Sequence, residues 1–504
     1  MMKTAEPELI QCDVAVIGSG MGGGMVARAL AERGREVYVF ERGERLPRED
    51  ANWDVSFVFG KNAYKNSEKW LDKRGRAFKP GVHYYVGGNT KVYGASLPRF
   101  RESDFKPYMT KDGISPEWPF GYADLEPYYL QAEHALEVHG NPVEDPTEPW
   151  RSGPYPYPAV PHEPATQALA DSFKKQRLSP YVMPMGVDVK VGGSCILCKT
   201  CDGFPCKLGA KRDAETNGID VALQHGAKLF ERTHIEKLEH DVSGKRVIAA
   251  IGTLMNRPVR IEANKFVLSA GAANSAAILL RSKSSHYPAG LANSSGLVGK
   301  NWMVHNATFV IALNPFKKNA TRFQKTLGVN DWYLNEDPRK RLGNVQMLGK
   351  VQGEMVRGIY PIIPKWLANF ITSHSVDLYL ESEDVPSLEN RVTLDDRGNI
   401  CIHWKPTNLS AHKALIRKTR LALWRAGYPF VFTKTMGIET NSHMCGTIVA
   451  GNNSDSSVLN RFCRTHDLEN LYVVDASFFP SSAAMNPALT IAAQAFRVVD
   501  KGGL

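Results

Sequence analysis

Residues 13–17, DVAVI, form a short apolar run that breaks off in the glycine-dense stretch GSGMGGG at 18–24. The following MVARALAERG repeats its apolar positions at helical spacing, and EVYVFE at 36–41 is a second apolar run closed by an acid. Apolar runs of this length between turn residues predict buried strands, and the 3.6-residue rhythm between them predicts a helix. A second strand, glycine turn and helix is expected where the strand patterns of 228–271 end in FVLSAG at 266–271 and AANSAAILL follows. From 305 to about 440 the rhythm changes to alternation, with strands expected at FVIAL (309–313) and VDLYL (376–380) and one long helix from about 410 to 426. The region 106–190 is rich in Pro, Tyr and Trp; a helix is expected at 124–139 and a loop at 142–162, as in a connecting arm without a core of its own.

These elements predict an α/β chain, α+β overall, with a discontinuous Rossmann-type dinucleotide-binding domain. Its parts are 1–105, 191–304 and 441–504; the arm of 106–190 and a domain of antiparallel sheet plus helices at 305–440 interrupt it. The first glycine turn gives the domain its chemistry. Gly18 suits the tight turn, Gly20 lets a pyrophosphate approach the backbone at Met21, and Gly23 lets the helix pack close to the strand, so that the helix N-terminus faces phosphates. Glu41, twenty-three residues after Gly18 and followed by Arg42, is placed to accept from an adenosine ribose, and its charge would repel a 2′-phosphate. A second glycine-rich stretch, VGGNTKVYGA at 86–95, contributes Gly87, Gly88, Asn89 and Thr90 to a loop that can lie against a flat ring or a phosphate.

Composition narrows the class. The 504 residues exceed the usual size of one core, and 43% hydrophobic content suffices for two. The net charge of +10 comes from scattered Lys and Arg, which suits solvated surface and argues against nucleic acid. There is no run of eighteen apolar residues, and the start MMKTAEPELIQCD has neither an apolar signal core nor a twin arginine, so a cytoplasmic protein without membrane insertion is expected.

Candidate catalysis lies in the last sixty residues. His443 opens HMCGT, YVVDASFFP carries Asp475 and Ala476, and Asn486 with Pro487 opens NPALTIAAQA. A histidine and an asparagine forty-three positions apart, each at a Gly- or Pro-marked turn, can converge on one reacting atom, one taking a proton and the other orienting the group that gives it. The plainer alternative is a buried structural histidine and a turn-forming asparagine. His305 and His466 are read as structural.

Together these pieces resemble the glucose–methanol–choline (GMC) oxidoreductases, FAD flavoproteins that mostly oxidise alcohols or sugar hydroxyls. The matching segments are GSGMGG with Glu41, GGNT at 87–90, the strand into Ala270 and Gly271, GKNWMVH at 299–305, EDVP at 383–386 with NRVTLD at 390–395, and the His443 and Asn486 segments. The likeness is nearest to the branch of pyranose oxidases and bacterial sugar-dehydrogenase flavin subunits. It implies an enzyme that oxidises a sugar, glycoside or polyol hydroxyl by hydride transfer to flavin N5. His443 would be the base, Asn486 its partner and Asp475 a ligand to the ribityl or phosphate region. It also admits a non-sugar alcohol or an FAD-containing lyase and leaves oxygen or another acceptor open, while the four-cysteine run described below keeps open an electron-transfer subunit with a small-subunit partner. Val92 stands where pyranose oxidases often carry the histidine that tethers FAD, so non-covalent FAD is expected. Tyr93 precedes Gly94 where many members have asparagine.

Cys195, Cys198, Cys201 and Cys206 lie at the spacing C-x2-C-x2-C-x4-C. Structural or free thiols are the expectation, with an iron–sulfur cluster and zinc as alternatives; ferredoxin-type runs leave three residues before the fourth Cys and place proline after it, whereas here Pro205 precedes Cys206. The segment GIYPIIPKWLANFI at 358–371 is too short and proline-broken to span a bilayer and is expected to be a loop over the substrate entrance or ordinary core.

Overall fold

The computed structural model describes residues 7–504. Five parallel strands, in the order Lys228–Phe230, Val37–Phe40, Glu8–Ile17, Arg257–Leu268 and Leu471–Val473, form the centre of a seven-stranded sheet. The antiparallel pair Val247–Leu254 and Thr233–His240 extends it from the first half of Arg257–Leu268. A parallel sheet needs cover on both faces, which is why these strands read as continuous apolar runs: all of Val37–Phe40 is buried, and Val14, Ala15 and Val16 have no exposure. Helix Met21–Ala31 supplies part of the cover and packs on the C-terminal helix Ala488–Lys501, which packs in turn on Tyr122–Ala135.

The second sheet is six-stranded and antiparallel, in the order Phe430–Thr435, Asn306–Leu313, Ser375–Ser382, Asn344–Met347, Leu327–Val329 and Pro180–Val182. The long helix Leu409–Arg425 covers one face through Leu415 and Leu423, which share a core with Val310, Leu378 and Leu380.

Three local expectations need correction. The helix expected at 124–139 spans Tyr122–Ala135 and gives way to a short strand, Val138–Gly140. The 106–190 region has no core of its own, as expected, but it does more than connect, because its apolar residues are built into the cores of the two main sheets. Pro164 starts a helix, Pro164–Lys175, whose Leu169, Ala170 and Phe173 enter the core of the second sheet, and Pro180–Val182 forms that sheet's edge. The 358–371 segment is mostly outside the core and is loop only over 360–364, where Pro361 and Pro364 separate helices Gly353–Ile359 and Lys365–Ser373, with Ile362 92% and Trp366 71% exposed. No helix among the described residues is long and apolar enough to cross a membrane.

Candidate active site

The first glycine turn has the geometry its composition demands. Gly18 has φ +99°, and a Cβ on Gly23 would run into the Gly18 carbonyl oxygen, so the helix can approach its strand only without side chains there. At Gly20 a Cβ would meet nothing within 4 Å: the glycine is not needed for packing and instead leaves open space at the N-terminus of Met21–Ala31. Gly88 faces that space from the second glycine loop, and Gly271 (φ +88°) likewise has nothing within 4 Å of its would-be Cβ. An open glycine at the N-terminus of Met21–Ala31, faced by Gly88 and joined by a second open glycine at the N-terminus of Ala272–Arg281, leaves room for a dinucleotide's phosphates, so these residues fit FAD.

Glu41 is buried at the end of its strand, where Oε2 accepts from the Ser19 amide (3.0 Å) and hydroxyl (2.6 Å) and Oε1 from the Gly43 amide (2.8 Å). Burial pushes its carboxyl above the usual range despite those bonds. Arg42 stacks over Tyr84 and pairs with Glu68. Asn89 and Thr90 brace the second loop, the Asn89 side-chain oxygen accepting from the His83 amide and Thr90 linking Gly87 to Ala214. Asp475 is fully engaged within the protein. Its Oδ2 accepts from the Gly271 amide (2.9 Å) and Ser275 hydroxyl (2.6 Å) and its Oδ1 from Ser477, so its carboxylate braces the Gly271 turn and the one beginning at Ala476.

His443 lies in a buried network of which the sequence named only the two ends. An antiparallel bridge pairs Met303 with Cys445, each amide donating to the other's carbonyl at 3.0 and 2.9 Å. Two residues further along such a ladder face each other on the same side, which sets His305 against His443. Their rings meet edge to face with centroids 5.0 Å apart. Glu381, on strand Ser375–Ser382 opposite Ala307, completes the group: its Oε1 lies 3.0 Å from His305 Nδ1 and 2.8 Å from His443 Nδ1. The other carboxylate oxygen accepts from Gln346 Nε2 (2.9 Å), which also donates to Asn486 Oδ1 (3.0 Å). His443 and Asn486 are therefore linked through Glu381 and Gln346.

Donor and acceptor assignments follow. Gln346 can only donate from Nε2, so Asn486 presents Oδ1 to it and keeps its Nδ2 hydrogens for another acceptor. Glu381 can only accept as a carboxylate, so His443 donates from Nδ1, and in the neutral ring Nε2 is the acceptor. Among the described residues Nε2 has no protein partner, and the His443 side chain is 23% exposed while Glu381 is fully buried. Burial by itself would push the Glu381 carboxyl up, but the charges and hydrogen bonds of His305 and His443 outweigh it and bring it down to about 2. The histidine pair and Glu381 form the one set of three His, Cys, Asp or Glu groups among the described residues whose ligand atoms converge within 4.8 Å; the 2.8–3.0 Å separations are hydrogen-bond lengths that protons satisfy.

Reading His305 as structural therefore missed a member of the site. Glu381 and Gln346 were missed as well. One cue existed for Glu381: Val376, Leu378 and Leu380 form one face of its strand, and Asp377 and Glu381 lie on the other in a strand that is buried almost throughout. His466 does fit its structural reading, Nε2 meeting the Ser457 hydroxyl at 2.9 Å.

Next along the chain, burial pushes the Glu383 carboxyl up to about 7 even though Ser115 and Tyr108 donate to it. The folded protein thus keeps a proton on Glu383 that the unfolded chain, with an ordinary value of 4.5, releases. Between those values the folded state binds more protons, so this residue's contribution to stability is lost as pH rises from about 4.5 to about 7. Glu383→Gln should flatten the decline of melting temperature across that window; an unchanged slope would remove Glu383 as its source.

All eight cysteines are free thiols. The loop of Cys195 to Cys206 packs on the second glycine loop, where the Gly203 amide donates to the Val92 carbonyl and buried Lys211 donates to the Cys201 and Phe204 carbonyls. Burial pushes the Cys195 thiol up to about 12 and raises that of Cys201.

With this geometry in place, comparison with known proteins identifies the lineage. The GMC oxidoreductase N-terminal model matches residues 82–307 and the corresponding C-terminal model matches 386–495, so the two cover well over half the chain. The chain belongs to the GMC oxidoreductases. A model of NAD(P)-binding Rossmann-like domains also matches residues 16–93. Being a GMC oxidoreductase, it is an FAD-dependent enzyme that oxidises hydroxyl groups. Similar curated proteins are paromamine 6′-oxidase of Streptomyces fradiae, 28% identical over 96% of this chain and 90% of its own, and the fructose dehydrogenase large subunit of Gluconobacter japonicus, 24% identical over 98% of each. Another is 2-methyl-1,2-propanediol dehydrogenase of Mycolicibacterium austroafricanum, at 27% over 97% of this chain and 95% of its own. Among solved structures, pyridoxine 4-oxidase from Mesorbium loti superposes with TM-score 0.66 at 16% identity, covering 97% of this GMC oxidoreductase and 99% of that chain; this supports the fold alone.

Proposed function

We propose that this GMC oxidoreductase oxidises a hydroxyl of a sugar, glycoside or related polyol to a carbonyl, with His443 as the base and Asn486 as the group that holds the reacting oxygen. The observation that carries the chemistry is the bare Nε2 of His443, fixed by the Nδ1 hydrogen bond to Glu381, together with the spare donors of Asn486. An alcohol placed there donates its hydroxyl hydrogen to His443 Nε2 while its oxygen accepts from Asn486 Nδ2. Gly18, Gly20, Gly23, Glu41, Gly87, Gly88 and Gly271 would hold FAD, which would supply the acceptor for the hydride that leaves the carbinol carbon. His443 takes the proton, the C–O bond becomes a carbonyl, and the pair of electrons leaves with the hydride, so the step balances. Only the neutral ring can take that proton.

The sugar class is supported by the paromamine oxidase and fructose dehydrogenase relatives, which match this chain nearly end to end. The diol dehydrogenase relative makes a small non-sugar diol the second reading. Steady-state assays against monosaccharides, amino-sugar glycosides and diols, with oxygen and with a dye as acceptor, test it. Carbonyl product from a sugar supports the first reading, and product from diols alone replaces it with the second.

FAD is held without a covalent bond in this reading. Val92 offers no nucleophile, Lys91 is paired with Asp213 and Glu215, and the Tyr93 hydroxyl donates to the Arg212 carbonyl. Acid precipitation should release all of the flavin into the supernatant; yellow pellets would contradict this. We read Cys195, Cys198, Cys201 and Cys206 as thiols and not as cluster ligands, because among the described residues their sulfurs do not form a converging set of three ligand atoms; only His305, Glu381 and His443 do. Free cysteines throughout also suit a reducing, cytoplasmic setting.

A further inference from the structure

His305 lies 138 positions from His443, and its ring is committed at both nitrogens. Nε2 is 2.9 Å from the Ser482 carbonyl, which can only accept, so Nε2 carries a hydrogen. Nδ1 is at one corner of a triangle with Glu381 Oε1 (3.0 Å) and His443 Nδ1 (3.0 Å), and the remaining side, between Glu381 and His443, is 2.8 Å. If the triangle held a single proton, on His443 Nδ1, the His305 nitrogen and the carboxylate oxygen would face each other lone pair to lone pair, and a fully buried carboxylate would have no counter-charge. Two protons, one on each Nδ1 and both directed at Glu381, remove both penalties.

We propose that His305 is a standing imidazolium, a positioning residue that neutralises Glu381 and so keeps the neighbouring base, His443, in its neutral form with Nε2 bare. This rests on the reading of His443 as base and assigns a role to the charge behind it. Without His305 the buried carboxylate would keep the Gln346 hydrogen bond but have His443 as its one remaining candidate for a counter-charge, and it would stabilise the protonated form of His443, which cannot accept a proton from substrate. The charge environment agrees. Burial would pull the His305 imidazole down, yet Glu381, with help from the Ser482 carbonyl and Glu383, holds it above the ordinary value. The other titratable groups around it are Tyr379 on the Glu381 strand, Asp384, which accepts from the Val304 amide, and His412. Burial pulls His412 down to about 4, and it sits between Ser382 and Thr308. Among the described residues no Lys or Arg donates to Glu381, so the histidines are its cationic partners.

His305→Asn retains a donor near Nδ1 but removes the charge. Its flavin-reduction rate plotted against pH should have an acid limb displaced upward by at least one unit, read as a roughly tenfold or greater loss, relative to the variant's own alkaline plateau, at the pH where the wild-type rate is half of its plateau. The double variant His305→Asn/Glu381→Gln should bring the limb back. A lower plateau with an unmoved limb would mean that His305 serves packing only, and would overturn the proposal. A second measurement needs no substrate: in protein labelled with [15N]histidine, the resonances lost in His305→Asn should show two protonated nitrogens from pH 6 to 9, and Glu381→Gln should convert them to a neutral tautomer. If His305→Asn does not fold, the Glu381→Gln difference identifies the same resonances. Neutral-tautomer signals in the wild-type protein contradict the imidazolium even where no alcohol proves to be a substrate. A doubly protonated His305 in a protein that no hydroxyl compound reduces would leave it standing and remove the proposed function instead.

Discussion

Replacing His443 with alanine is expected to leave FAD fully bound and to slow substrate-driven flavin reduction by about 10²–10⁴-fold. The size of the effect follows from the network behind the ring. Glu381 and Gln346 hold His443 Nδ1 and Asn486 Oδ1, so the only unengaged acceptor of the His443 ring is Nε2, and truncation removes it without disturbing the glycine loops that carry the cofactor. Flavin absorbance per chain and single-turnover reduction by a good substrate measure the two halves separately. Reduction within tenfold of the wild-type rate would remove His443 from the mechanism, and loss of flavin would make it a binding residue.

Gly20→Val should do the reverse. Gly20 sits at φ −66°, ψ −170°, a conformation open to any residue, and a Cβ there touches nothing in the protein within 4 Å. The variant should therefore fold with unchanged melting behaviour as apoprotein. The space its side chain fills is the one proposed for the FAD phosphates at the N-terminus of Met21–Ala31, so the purified variant should be colourless and reconstitute with FAD at least 100-fold more weakly. The neighbouring Gly23→Val is a different case. Its Cβ would collide with the Gly18 carbonyl, so loss of flavin there comes with loss of fold. A yellow, active Gly20→Val protein would place the phosphates elsewhere.

The contrast between the two ends of the site explains what could be read from the sequence. The strand, glycine turn, helix and acid of residues 13–41 lie within one local unit, so residue type and spacing were enough to place these elements, with Gly18 at positive φ in the turn and Gly23 where a Cβ would meet the Gly18 carbonyl. His443 and Asn486 were visible as polar residues at marked turns. Their connection was not, because it runs through Glu381 and Gln346 on two strands of the second sheet and through His305, brought alongside by the single bridge between Met303 and Cys445. No periodicity records a pairing between residues 138 apart. The helix Pro164–Lys175 was hidden by the prolines and tyrosines on either side of it, although Thr166, Leu169, Ala170 and Phe173 bury at helical spacing. The hydrophobic run at 358–371 misled in the other direction: the apolar count suggested cover or core, whereas the prolines split it into helices that leave Ile362 and Trp366 in solvent.

The measurement that bears most directly on the central claim is an anaerobic titration of the purified flavoprotein with monosaccharides, glycosides, amino sugars and simple diols, following the oxidised flavin band. Full bleaching by at least one sugar-class compound is expected, with stoichiometric formation of its carbonyl product and the same bleaching slowed about 10²–10⁴-fold in His443→Ala. A flavin that no sugar, glycoside or polyol reduces, in protein that a chemical reductant bleaches normally, would contradict it.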